Sequence, residues 1–234
     1  MPNMPKLSNN NVQFAVPSDV EVDPNWTYVG VLIDTSGSMI ALNPENTSKQ
    51  LTSLIKEQSD TKVTVTAARF SNNYKVFIEN EKPEDIKITA EDIKPDGTTA
   101  LYESFCRIID DVTKTIQNFQ VKRPGKVVII VLTDGEENSS DGIYSGENGQ
   151  KLLTSKINAK KEEKWIFYFL GTNIDAIKMG NGFGISRDTC INYGSSQVGC
   201  TNVMKATSQA LSRARRSEPE SFTQNERNIS SKTH

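Results

Sequence analysis

Apolar residues recur along the chain in two alternating patterns, short continuous runs and three-and-four spacing. Tyr28 to Ile33 (YVGVLI) is a continuous run ending in a polar loop, which predicts a central strand buried on both faces. Leu51, Leu54 and Ile55 then recur at helical spacing, behind a cap expected at Asn46 or Thr47. Lys62 to Phe70 alternates, and Tyr74 to Ile78 follows Asn72-Asn73, so the pair reads as a hairpin with partly exposed faces. Leu101, Phe105, Ile108, Val112, Ile116 and Phe119 trace one face of a long helix. Lys126 to Thr133 (KVVIIVLT), entered from Pro124-Gly125, predicts a second buried strand, and a helix around Leu152, Leu153 and Ile157 leads to a third, Trp165 to Leu170. A glycine-rich loop, a short strand near Cys190 to Tyr193 and a helix from about Val198 to Arg215 follow.

Strands alternating with helices imply parallel βαβ units with right-handed crossovers. The predicted fold is α/β, a doubly wound, mostly parallel sheet with one antiparallel edge hairpin and helices on both faces. Residues 1–24 have no convincing period and include Pro17 and Pro24, and residues 216–234 are polar. Both ends are expected to lie outside a domain spanning 25–215. A chain of 234 residues, 35% hydrophobic, is long enough for one such domain and somewhat short for two.

The 27 basic and 29 acidic side chains give a net charge of -2, so no global field favours nucleic acid or an anionic membrane as a partner. The start, MPNMPKLSNN, lacks a basic region followed by an apolar one, and no run of about 18 apolar residues occurs. A cytoplasmic protein is expected. Cys106, Cys190 and Cys200 are widely spaced, without CxxC geometry, and read as reduced and structural. His234, the last residue, is the one histidine, which argues against histidine-based triads and transition-metal sites. Carboxylates, hydroxyls and amides remain, the ligands of hard cations such as Mg²⁺ and Ca²⁺.

Three polar motifs fall at strand or helix junctions, where ligands of α/β sheets bind. Asp34-Thr35-Ser36-Gly37-Ser38 follows the first buried strand, with Gly37 expected to relax the turn. Asp96-Gly97-Thr98-Thr99 precedes the long helix, and Thr133-Asp134-Gly135-Glu136 follows the second buried strand. Asp34, Ser36, Ser38, Thr99 and Asp134 would offer oxygens to one cation and leave coordination positions open. Thr98 competes with Thr99 for the threonine role.

With these motifs in this order, the sequence resembles the von Willebrand factor A family, whose metal-ion-dependent adhesion site is written D-x-S-x-S, a distant threonine and a distant aspartate. The resemblance covers about residues 25 to 215. It implies that Ser36 and Ser38 touch the metal, that Thr99 does so directly or through water, and that Asp34 and Asp134 act largely through water and hydrogen bonds. It also implies Mg²⁺, with Mn²⁺ or Ca²⁺ as alternatives, and an open position filled by an Asp or Glu carboxylate of a protein partner. The stretch from Phe169-Leu170-Gly171 through Asn173, Asp175-Ala176 and Gly184-Ile185 to Tyr193-Gly194 resembles stand-alone microbial and phage-type members.

The expected function is therefore a cation-dependent protein-binding module for adhesion or assembly, and not an enzyme. The alternatives are a phosphatase-like metal-dependent hydrolase with Asp34 as nucleophile, and a structural or assembly protein with an inherited metal site. A second acid two residues after Asp34 would favour the hydrolase, and Ser36 stands there. Glu103, Glu136 and Glu137 read as a solvated rim, Asp110-Asp111 as divergent surface carboxylates, and Gly180, Gly182 and Gly184 as a flexible loop. Arg213, Arg215 and Arg216 suit a helix carboxyl end.

Overall fold

The longest apolar runs form the middle of the sheet. In the computed structural model, which describes residues 20–60 and 62–232, β1 (Glu21–Asp34) and β4 (Lys122–Thr133) pair in parallel. Tyr28, Leu32, Ile129 and Val131 are buried on one face, and Val29, Val31, Val128 and Ile130 on the other, as helices on both sides require. The strand order is β3-β2-β1-β4-β5-β6. β2 (Val63–Phe70), β5 (Ile166–Gly171) and β6 (Cys190–Asn192) run parallel to their neighbours towards β1, and β3 (Tyr74–Glu81) is the antiparallel edge.

One face is covered by α1 (Pro44–Lys56) and α5 (Gln197–Arg215), whose Leu51, Leu54, Val203 and Leu211 join a core with Val31 and Ile130. The other is covered by α2 (Leu101–Gln117), α3 (Gly146–Glu162) and α4 (Ala176–Gly182), with Phe105, Ile108 and Leu153 packed on Leu32 and Ile129. From β1 the chain passes through α1 to β2 on one side, then returns through α2 to β4 on the other. The winding reverses between β1 and β4, and their carboxyl ends open a crevice there. This is the doubly wound sheet that the sequence predicts.

Four local features differ from expectation. β1 begins at Glu21 rather than Tyr28, because Glu21 to Asp23 pair with Lys122 to Pro124 ahead of a bulge. The cap of α1 is Asn43, not Asn46 or Thr47; at φ 56° its side chain accepts from the Glu45 and Asn46 amides, and Pro44 starts the helix. The glycine-rich stretch holds helix α4, and Gly180 is there for close approach, since a Cβ on it would lie 2.3 Å from Cys190 Sγ. Residues after Ser217, expected outside the core, fold back: Phe222 is 5% exposed in the core, and α6 (Gln224–Ser230) starts in a Thr223–Glu226 capping box.

Residues 1–19 of the expected N-terminal extension, and His234, lie outside the described residues. Cys106, Cys190 and Cys200 are buried and unbridged. No helix among the described residues is long and apolar enough to cross a membrane.

Candidate metal centre

Each of the three motifs ends up in the β1–β4 crevice, for local reasons. Asp34 closes β1, and the chain turns because its Oδ1 accepts the Ser36 amide at 2.7 Å. Thr35 fastens the turn to β2, its amide and hydroxyl both donating to the Phe70 carbonyl. The Asp96 amide donates to the Thr35 carbonyl at 2.7 Å and the Gly37 amide to the Gly97 carbonyl at 3.0 Å, which joins the first loop to the second. Gly97 is the residue that needs a left-handed backbone, at φ 70°. Gly37 does not have a positive φ; a Cβ on it would meet only ordinary contact, with the Gly97 carbonyl at 3.5 Å. The second loop is tied to the third by reciprocal bonds, Thr99 N to Asn138 Oδ1 at 2.8 Å and Asn138 N to the Thr99 carbonyl at 3.0 Å.

Side chains converge within this frame. Ser36 and Ser38 hydroxyls lie 3.2 Å apart, and Ser38 Oγ donates to Asp134 Oδ1 at 2.7 Å. Thr133 Oγ1 donates to Asp34 Oδ2 at 2.5 Å, so the residue before the second aspartate holds the first. Thr99 is buried and its hydroxyl lies beside Gly135, where an added Cβ would come within 3.3 Å of it; Thr98 is exposed. The structure thus places Thr99, not Thr98, next to the Asp134 loop. Asp34, Ser36 and Asp134 are buried as well, and Ser38 is exposed, so the cluster opens to solvent at Ser38.

Burial dominates the electrostatics of this cluster. Burial pushes the Asp34 carboxyl up to about 6, against hydrogen bonds from Thr133 and Ser36, and Asp134 adds to the rise. Burial also raises Asp134, offset by the Ser38 hydroxyl. What restrains the two acids is hydroxyls and an amide rather than a basic side chain. Asp134 Oδ2 is buried without a hydrogen-bond partner among the described residues. The described residues hold no group of three or more His, Cys, Asp or Glu side chains suited to a metal. The donor set here is two carboxylates with three hydroxyls, all oxygen, which fits a hard divalent cation.

Glu137 is a residue whose role the sequence hides. Read as solvated rim, its carboxylate instead accepts the Tyr102 amide at 2.7 Å, the Ser139 and Ser140 amides at 2.8 and 2.6 Å, and the Ser140 hydroxyl at 2.6 Å. It caps α2, whose first flanking residue, Ala100, has no side chain able to do so. Glu136 is exposed, and Glu103 pairs with Arg107 at 2.6 Å. Asp110 and Asp111 diverge, one to Lys156 at 2.5 Å and one to the Tyr74 hydroxyl at 2.7 Å. Arg213, Arg215 and Arg216 bind Glu226, Asp60 and Glu218 of the chain itself.

A family model for the von Willebrand factor type A domain matches residues 29–180. No curated protein matches the sequence. Among solved structures, proximal thread matrix protein 1 from the mussel byssus superposes with a TM-score of 0.58 at 18% identity, over 80% of this chain and 47% of that one. Another structure of the same protein is described with a zinc-occupied MIDAS motif. The PilB minor pilin of Streptococcus sanguinis matches with a TM-score of 0.55 at 11% identity, over 81% of this chain and 62% of that one. The domain of the type V pili tip protein Mfa5 from Porphyromonas gingivalis matches with a TM-score of 0.55 at 9% identity, over 81% and 96%. The chain spans about half the length of the thread matrix protein, and likeness at these identities is likeness of fold.

Proposed function

Since the chain belongs to the von Willebrand factor type A domain family, we propose that it is a protein-binding module for adhesion or assembly that holds a divalent cation and captures an acidic residue of its partner. The observation that carries this reading is the pair of buried carboxylates, Asp34 and Asp134, raised by burial, restrained by hydroxyls and an amide, and open to solvent at Ser38. Ser36, Ser38 and Thr99 are the residues that would touch the ion, and Asp34 and Asp134 would supply its counter-charge. A bound cation offers positive charge at a surface position, where a carboxylate completes the oxygen set. Mg²⁺ suits these all-oxygen donors; zinc in the mussel protein's motif makes Zn²⁺ the ion to run beside it.

The hydrolase alternative requires Asp34 to be a free nucleophile. Both of its oxygens are instead engaged, one by the Ser36 amide and one by the Thr133 hydroxyl. A group held for orientation on two sides is suited to positioning.

The test is thermal unfolding in EDTA and in Mg²⁺, Mn²⁺, Ca²⁺ or Zn²⁺. An ion that binds only the folded chain stabilises it by about 2.7 kcal/mol at a hundred times its dissociation constant. The midpoint should rise with Mg²⁺ or Mn²⁺, and Asp34→Ala should remove the response. A wild-type midpoint indifferent to every ion would reject the reading.

A further inference from the structure

Beside Asp134, at the ends of β5 and β6, stand two buried hydroxyls, Thr172 and Tyr193, that the site as described does not use. β4, β5 and β6 are adjacent and parallel, with Thr133 opposite Gly171 and Gly171 opposite Asn192. One step further along each strand stand Asp134, Thr172 and Tyr193. The row continues the ladder, since the Thr172 amide donates to the Thr133 carbonyl at 3.2 Å and the Tyr193 amide to the Gly171 carbonyl at 2.9 Å. Residues in one transverse row of a parallel sheet share a face, and the row two steps earlier, Leu132, Leu170 and Ile191, lies together in the core under α1 and α5.

All three side chains are buried, Asp134 at 4%, Thr172 at 1% and Tyr193 at 4% exposure. Each presents an oxygen without a hydrogen-bond partner among the described residues: Asp134 Oδ2, Thr172 Oγ1 and Tyr193 Oη. Folded proteins leave few buried polar groups unsatisfied, so three in one row call for a shared partner. The Tyr193 phenol also stands within the field of both Asp134 and Asp34, which, after burial itself and Cys200, push it further above its usual range. Neighbouring strands lie about 4.8 Å apart, a spacing that a buried water can bridge between polar side chains, and such a water needs two to four partners.

We propose that Thr172 and Tyr193 are positioning residues for the cation site, whose hydroxyls hold Asp134 Oδ2 through buried water while Oδ1 faces Ser38 and the ion. The inference rests on the metal-site reading above and deepens it. The carboxylate accepts on both oxygens, so its plane is fixed from behind by β5 and β6 and from the front by the β1 loop. Partners standing behind a metal's ligands typically change its affinity about 10- to 100-fold when removed.

The test uses the full chain and Mn²⁺ as probe, with the dissociation constant measured by calorimetry and the unfolding midpoint measured in EDTA. Tyr193→Phe and Thr172→Val delete single oxygens and keep shape. Each is expected to weaken Mn²⁺ binding about tenfold while the EDTA midpoint stays within about 3 °C of wild type. Thr172→Ser, which returns the hydroxyl, should recover most of the affinity. Variants that bind Mn²⁺ as wild type does overturn the inference alone. So does a loss of affinity that tracks the EDTA midpoint and is not recovered by Thr172→Ser. A wild-type chain that takes up no ion overturns the metal-site reading and this inference together.

Discussion

One carboxylate, Glu137, joins the start of α2 to the 138–140 segment, beside the Thr99–Asn138 bonds that tie the same two loops. It accepts three amides and a hydroxyl, spanning the first turn of α2 and the 138–140 segment. Charge at a helix amino end is favoured by the dipole, and hydrogen bonds to an ionised acceptor are stronger than neutral ones. Glu137→Ala should therefore destabilise the ion-free chain by about 1–2 kcal/mol, as loss of a cap does, and also weaken ion binding because the start of α2 is no longer joined to the segment whose Asn138 holds Thr99. Urea unfolding in EDTA and calorimetric titration with Mn²⁺ would show both effects; unchanged affinity would separate the cap from the site. The partner's chemistry belongs to the same scale. If Ser36, Ser38 and Thr99 give neutral oxygens, the ion keeps positive charge towards solvent, and one partner Asp or Glu should matter above all others. Its replacement by Asn or Gln should weaken binding about as much as EDTA does, with Ser38→Ala also weakening it. A scan of the partner's acids that finds no residue of this kind would reject carboxylate capture.

The secondary structure elements divide according to how their environment writes itself into sequence. Strands buried on both faces, β1 after Tyr28, β4 and β5, are continuous apolar runs because every side chain meets a helix, and α2 shows its face because one side alone is buried. The convergence of the three polar motifs was legible for a related reason: the ends of β1 and β4 and the start of α2 fix where polar residues must fall. The opening of β1 was not, because its polar residues, exposed Glu21 and half-buried Asp23, pair with Lys122 and Lys62 instead of meeting a helix. Helix α4 was hidden by its glycines, of which Gly180 serves packing. Gly180→Ala should consequently destabilise by about 1–3 kcal/mol, since the new methyl would overlap Cys190 Sγ at 2.3 Å in a core that does not give. Gly182→Ala, two residues on, meets nothing nearer than Gln150 Nε2 at 3.4 Å and should stay within about 1 kcal/mol of wild type. Equal effects of the two in urea unfolding would return this stretch to the flexible loop that the glycine spacing suggests.

Across the whole molecule, the polar stretch after Ser217 forms a strap on the α5 face, and its composition conceals this because one aromatic anchors it. Phe222 packs on Tyr168 with ring centroids 5.4 Å apart, and the Tyr168 hydroxyl donates to the Glu220 carbonyl at 2.9 Å. Arg213 reaches from α5 to both oxygens of Glu226, at 2.9 and 3.0 Å, and Arg227 donates to the Cys190 carbonyl at 2.7 Å. Tyr168 pairs with Ile130 in mid-sheet, four residues before Thr172, so at about 3.3 Å per residue this anchor is roughly 13 Å from the strand ends that carry the site. Stability and ion binding should therefore separate here. Phe222→Ala should lower the unfolding free energy by about 3–5 kcal/mol, the range for a buried aromatic truncated to alanine. The Mn²⁺ dissociation constant, measured where the variant is still folded, should stay within about twofold, because Phe222 packs in mid-sheet, away from the strand ends, and sites so separated act nearly independently. If Phe222→Ala instead loses ion affinity in step with stability, the strap and the metal centre form one cooperative unit, and the mid-sheet contact is the place where they are joined.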